Sequence, residues 1–159
     1  MSIKSLIKSI RKIYIFNVIA RKFYKIISSI YNIEFKHFVR VKGTVKLKVN
    51  KISFKMKGNC DDNILDQLYF NPEKYKENSE LKLFIKLIKN SKTFIDVGAN
   101  TGLYTILGEK VNPALYTYSF EPYPNNYMRL VYNININELF LKLKSILSQL
   151  FLYFLLIID

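Results

Sequence analysis

The run Phe94-Ile95-Asp96-Val97-Gly98-Ala99-Asn100-Thr101-Gly102 constrains this chain more than any other stretch. It reads as a buried strand that ends in an acidic residue and then turns through two glycines into a helix. Such a corner suits a nucleotide-like ligand, because Gly98 lets the backbone come close and the amides of the following helix N-terminus face the bound group. A second apolar strand, Leu115 to Phe120, is followed by Glu121, whose carboxylate can accept both hydroxyls of a ribose. Together the two strand ends point to an adenosine-containing ligand without saying which.

Spacing narrows the choice. Asp96-x-Gly98-x-x-x-Gly102 is not the G-x-G-x-x-G of dinucleotide sites, and no Lys-Ser/Thr pair follows Gly102 as a P-loop requires. The turn resembles motif I of class I S-adenosylmethionine (SAM) methyltransferases. An ordinary strand-turn-helix corner built of small residues is the alternative for these nine residues alone. The second block is more specific. Phe120-Glu121-Pro122-Tyr123-Pro124-Asn125-Asn126, followed by Leu130, Asn133 and Asn137, resembles the F-E-P-x-P-x-N-x-x-x-L-x-x-N-x-x-x-N run of FkbM-type methyltransferases. Members of that family also carry D-V-G-A-N-x-G where this chain has Asp96 to Gly102. The likeness covers about Asp61 to Asn137. Asn126, Leu130, Asn133 and Asn137 fall on one helical stripe, Pro124 suits a first helical turn, and Pro122 stiffens the chain after the carboxylate.

The resemblance implies an α/β, Rossmann-like class I domain that binds SAM and moves its methyl group to an oxygen of a sugar or other small metabolite. By the same resemblance Asp96, Gly98, Asn100 and Gly102 line the cofactor, with Ala99 and Thr101 between them, and Glu121 followed by Pro122 at the ribose. Asp96 would orient the loop and the sulfonium end rather than act as a base. Methyl transfer needs mostly in-line positioning, with a base only for a hydroxyl nucleophile. No catalytic base and no metal cluster is visible in the sequence. The single histidine, His37, sits upstream in a basic strand and reads as a solvated strand residue.

After Asn137 an FkbM-like chain continues with further strands and a K-I-D-x-E-G-like segment. Here the sequence runs through Leu139-Phe140-Leu141-Lys142-Leu143-Lys144 into an apolar stretch ending at Asp159, so the fold is expected to be incomplete, first strands and helices only. A parallel sheet needs both faces covered, which two strands and their helices cannot provide. Two explanations compete for residues 139–159: a reading-frame shift or truncation near Glu138, or a true C-terminal helix that anchors in a membrane or caps the sheet. The uninterrupted apolar part, Leu150 to Ile158, is short of the ~20 residues a bilayer-spanning helix requires. The shift or truncation is the favoured reading.

Charge is placed unevenly. The chain of 159 residues has a formal net charge of +13, yet residues 1–60 hold fifteen basic side chains and one acid, Glu34, while the remainder is nearly neutral. Residues 1–32 form a basic amphipathic helix, with Lys4, Lys8, Arg11, Lys22 and Lys25 on one side and Ile3, Leu6, Ile10, Ile13, Phe16, Ile19, Phe23, Ile27 and Ile30 over much of the rest. Such a helix can lie on an anionic membrane surface or pack inward and leave a solvated lysine face; both readings stand. Arg11, Lys12, Arg21 and Lys22 interrupt any signal-peptide core.

Residues 33–60 read as a β-meander with one basic face and turns at Gly43-Thr44 and Asn50-Lys51. A basic sheet can track phosphates, but no aromatic pair lies on the lysine face for base stacking, so nucleic acid is not the expected partner. Residues 61–138 hold the cofactor half. It begins with a helix opened by Asp61-Asp62-Asn63 that buries Ile64, Leu65 and Leu68, and a second helix from about Ser79 to Lys89. Cys60 is the only cysteine, which excludes an intrachain disulfide and a thiolate metal site and suits a reducing cytosol, with any membrane contact peripheral at the inner face. The sequence thus predicts a SAM-dependent methyltransferase half, with an inactive fragment or a basic membrane-surface descendant as the alternative.

Overall fold

The computed structural model describes Ser9 and residues 13–31, 39–73, 78–139 and 143–147. Helix α1 (Tyr14–Tyr31) precedes an antiparallel hairpin, β1 (Lys42–Val49) and β2 (Ile52–Asn59). Helices α2 (Asn63–Phe70) and α3 (Ser79–Ile88) lead into a parallel sheet of β3 (Thr93–Val97), β4 (Tyr116–Glu121) and β5 (Leu143–Leu147). Between them run α4 (Leu103–Val111) and α5 (Pro124–Ile136). Strand order follows chain order, with Thr93 opposite Tyr116 and Thr117 opposite Leu143.

Two polar starts fix the lead-in helices. Asp62 accepts from Leu65 N at 2.9 Å and Asn78 from Leu81 N at 2.9 Å, each satisfying an amide that the first helical turn leaves unpaired. In α3, Leu81 and Ile88 are buried as the periodicity predicts, with Phe84 and Ile85 against the same core. In α2, Leu65 and Leu68 are buried, but Ile64 points to solvent and Asp66 takes an inward position. Asp66 accepts from Val41 N and from Arg40 Nε, both at 2.7 Å, which compensates its burial; burial still lifts its pKa against the pull of these partners.

The main core lies between the hairpin and α2, α3 and α4. Val41, Val45, Leu47, Val49, Phe54 and Met56 meet helical leucines including Leu65, Leu81 and Leu107. The opposite face of the hairpin is exposed, with Lys46 directly across from Lys55. This basic face is the predicted one. The hairpin has two strands, turning at Asn50-Lys51. Gly43 and Thr44 do not make a turn: they lie inside β1, with Gly43 at φ 83 opposite Gly58. The expected turn is displaced because Gly43 supplies a positive φ within a continuing ladder, next to the ring of Tyr14.

Asparagine amides close both outer edges of this hairpin. On the β1 side, Asn17 of α1 donates to Arg40 O at 2.6 Å and accepts from Lys42 N at 3.0 Å. On the β2 side, Asn137 accepts from Lys55 N at 2.9 Å and donates to Lys55 O at 2.7 Å, while Asn133 accepts from Lys57 N at 2.8 Å. Asn133 also donates to Thr101 O at 2.8 Å, so the same amide ties the hairpin to the loop after β3.

Two further sequence expectations need correction. Residues 143–147 form a third parallel strand rather than part of a C-terminal helix. Leucine and lysine favour helix intrinsically, and pairing with β4 overrides that weak preference. The β3 strand is not buried on both sides: Ile95 and Val97 are 60% and 59% exposed, because no described element covers that face. His37, Lys4, Lys8, Arg11 and residues 148–159 lie outside the described residues.

Replacing Asn133 by alanine leaves Lys57 N–H and Thr101 C=O without partners. Asn133→Ala is expected to cost about 2–4 kcal/mol in urea unfolding, since each stranded polar group costs about 1–3 kcal/mol. The same change at exposed Asn135 is expected to stay within about 0.5 kcal/mol of the parent.

Candidate functional site: the corner between β3 and β4

Three left-handed residues shape the turn after β3: Gly98 at φ 77, Asn100 at φ 51 and Gly102 at φ 95. The amides of Gly98 and Ala99 both donate to Phe120 O, at 2.9 and 3.0 Å, and Gly102 N donates to Ala99 O at 2.8 Å. The turn is thereby sewn to the end of β4. The two glycines serve different purposes. A Cβ on Gly102 would meet Leu130 Cδ1 at 2.6 Å, so this position exists for packing against α5. A Cβ on Gly98 would meet no atom within 4 Å, so the backbone there faces open space.

Glu121 holds the corner together. Its carboxylate accepts from Asn100 N at 2.7 Å and from Tyr123 N at 2.9 Å, one amide for each oxygen. The side chain is 5% exposed, buried by the two turns it joins. Each oxygen retains a second acceptor position. The sequence predicts a carboxylate at this strand end; its part as a clamp between the two motif loops emerges only from the fold.

Asp96 lies beneath the corner, half-buried, and accepts from Thr105 Oγ1 at 2.6 Å. Thr105 Oγ1 in turn lies 2.8 Å from Ser119 Oγ, which makes a buried hydroxyl chain from β4 through α4 to β3. Burial raises the Asp96 pKa; the Thr105 bonds oppose the rise and the nearby charge of Glu121 adds to it. Thr105 and Ser119 are supporting residues that no sequence motif marks. Only their register, on α4 and on β4 facing it, brings them to Asp96.

The remaining predicted residues divide by depth. Asn100 and Pro122 are exposed beside Gly98. Ala99 packs on Leu130 and Ile134, and Thr101 donates to the buried Asp62 at 2.7 Å, so both support the loop from beneath. Asn100 also borders a cavity of about 300 Å³ with Asp62, Asn63 and Asn126. A larger cavity of about 540 Å³ lies alongside, lined by Lys57, Asn59, Met128 and Tyr132. Asp61 and Arg129, paired at 2.5 Å, line both. The sequence carries no cue to this groove, because its two walls, the end of β2 and α5, are some seventy residues apart: Arg129 and Asp61 have a separation of 68. Among the described residues no group of acids, histidine or cysteine has the proximity to hold a metal ion.

No family model and no curated protein matches this chain. Solved structures do. A provisionally assigned SAM-dependent methyltransferase from Streptococcus mutans superposes with TM-score 0.50 at 15% identity, over 74% of this chain and 29% of that one. A provisionally assigned transferase from Pyrococcus horikoshii superposes with TM-score 0.50 at 13% identity, over 79% and 46%. The chain thus spans less than half the length of either. At these identities the likeness establishes architecture: the protein has part of the α/β, Rossmann-like fold of class I methyltransferases, with its conspicuous corner at the strand ends where that fold presents ligands.

Proposed function

We propose that this chain is the cofactor-binding half of a SAM-dependent methyltransferase of FkbM type, acting on a hydroxyl of a sugar or small metabolite. One observation carries the reading: at the C-terminal end of β3, Gly98 opens onto free space beside the carboxylate of Glu121 at the end of the neighbouring parallel strand. The residues present fit an adenosine-bearing cofactor. Gly98 admits close backbone approach, exposed Asn100 borders the opening, and the free acceptor positions of Glu121 match ribose hydroxyls. Ala99, Thr101, Gly102 and Pro122 shape the turn from below and beside it. The cofactor, when bound, supplies an electrophilic methyl group. The chain's contribution is positioning: Glu121 fixes both loops, and Asp96, braced by Thr105, sets the floor of the corner. The groove past Asp61 and Arg129 gives an acceptor a route to Asn100.

In this reading residues 61–138 are the cofactor half, 33–60 its strand-rich lead-in, 1–32 a basic helical extension and 139–159 an apolar tail in which residues 143–147 form β5. A cytoplasmic setting suits it. Nucleic acid is less well matched than a small acceptor, since β1 and β2 themselves carry no aromatic on their lysine face for base stacking.

Calorimetry with SAM and S-adenosylhomocysteine tests the proposal. Binding of either to the folded chain is expected, and Glu121→Ala is expected to weaken it by about tenfold or more, since both charge-assisted loop contacts are lost, each of about 1.5–3 kcal/mol. Folded protein that releases no heat with either ligand rules out active methyl transfer by this chain. Gly98→Ala is expected to cost about 1–2 kcal/mol of stability, the strain of a left-handed L-residue, and to weaken the ligand. Gly102→Ala is expected to cost more, because strain and the Leu130 contact combine.

A pH experiment isolates Asp96. Because its folded pKa is raised, the stability associated with its protonated form is present at low pH and lost as pH rises through that pKa. Urea midpoints measured from about pH 4 to pH 7 are therefore expected to move in favour of Asp96→Asn relative to the parent as pH increases. Parallel curves would remove burial as the dominant influence on this carboxyl.

A further inference from the structure

Helix α1 is mounted with its polar side inward. Asn17 and Arg21 are buried, Asn17 bonded to the start of β1 and the Arg21 guanidinium stacked 5.2 Å from the centre of the Tyr69 ring. Lys25 Nζ lies 3.8 Å from the same ring, and Tyr24 meets Phe70 edge-on. The outward side is apolar. Ile15, Phe16, Ile19 and Phe23 are 67%, 55%, 59% and 64% exposed, and at 100° per residue they form one continuous stripe. Soluble helices bury such a stripe; here the arrangement is reversed, and no described residue covers it.

We infer that this stripe lies in the interface of a lipid bilayer carrying anionic headgroups. Charge decides among the occupants. Helix α1 contains no Asp or Glu, Lys22 is exposed at the margin of the stripe, and residues 1–60 hold fifteen basic side chains against one acid. A second copy would bring the same positive field against itself, whereas an anionic leaflet complements it. No described helix is long and apolar enough to cross a membrane, so α1 rests in the interface plane, apolar side down. The sequence left open whether the apolar side of this helix meets a membrane or packs inward. The packing of Asn17 and Arg21 leaves the apolar side free. This inference is independent of the methyltransferase reading.

Co-sedimentation of the full chain with vesicles of phosphatidylcholine, alone and mixed with phosphatidylglycerol, tests it. Binding is expected chiefly to the mixed vesicles and is expected to fall as salt rises. The double change Ile19→Ser, Phe23→Ser removes exposed apolar groups only, so its thermal melt should match the parent while its partition onto vesicles falls at least about tenfold. Lys22→Glu should weaken binding several-fold on anionic vesicles and leave the rest unchanged. Equal sedimentation of parent and double variant overturns the inference. So does a parent that ignores both vesicles, and light scattering that shows a dimer of the parent broken by the double change would assign the stripe to a second copy instead.

Discussion

The structure depends on side-chain amides that stand in for missing strands. A two-stranded hairpin has two open edges, each presenting backbone donors and acceptors that must find partners when buried. Asn17 engages Arg40 O and Lys42 N on one edge; Asn137 engages Lys55 N and O on the other, with Asn133 on Lys57 N. An asparagine amide carries one acceptor and two donors in nearly the geometry of a peptide group, so it can extend a ladder without extending the chain. Through Asn133 the same device reaches Thr101, and through Thr101 it reaches Asp62, the cap of α2. The lead-in hairpin and the turn after β3 are therefore one bonded unit.

That unit explains how an exposed glycine turn keeps its shape. Thr101 and Ala99 are held from below by α5 and Asp62, Glu121 binds the turn to the end of β4, and Gly98 is left facing open space. Preorganisation of this kind lets a turn receive a ligand without ordering itself first. The polar side of the parallel sheet serves the same end. Asp96, Thr117, Ser119 and Glu121 lie under α4, where Thr105 bonds Asp96 and Thr117 donates to Glu109. On the apolar side Ile95, Val97 and Tyr116 are exposed, with no described element over them. Among the described residues the sheet thus has its hydrogen-bonding side covered and its hydrophobic side uncovered, the reverse of a sheet buried on both faces.

Several features were legible from spacing alone. The two carboxylates and the glycine turn lie together, Pro124 opens α5, Asp62 caps α2, and Asn50-Lys51 turns the hairpin. Asn126, Leu130, Asn133 and Asn137 do share a stripe, yet what each does there was invisible: Leu130 fills the space beside Gly102, while Asn133 and Asn137 close a strand edge 76 and 82 residues away. The helical reading of α1 was sound over 14–31, whereas its facing could not be read, because amphipathicity identifies two sides and not which one is inward. The Leu-Lys run at 143–147 misled for a related reason, as its strand state comes from β4 rather than from its own residues.

The sequence by itself determined local events: the turns at Asn50-Lys51 and after β3, the glycines that take positive φ there, the Asp62 cap, and an acid at or next to the end of each of two strands. Those depend on neighbours a few positions apart. Tertiary structure alone decided which glycine stays open, that Glu121 clamps two loops, that Thr105 and Ser119 support Asp96, and that α1 turns its apolar stripe outward. Each of these is a contact between distant segments, and its free energy comes from burying or satisfying groups that no local window contains.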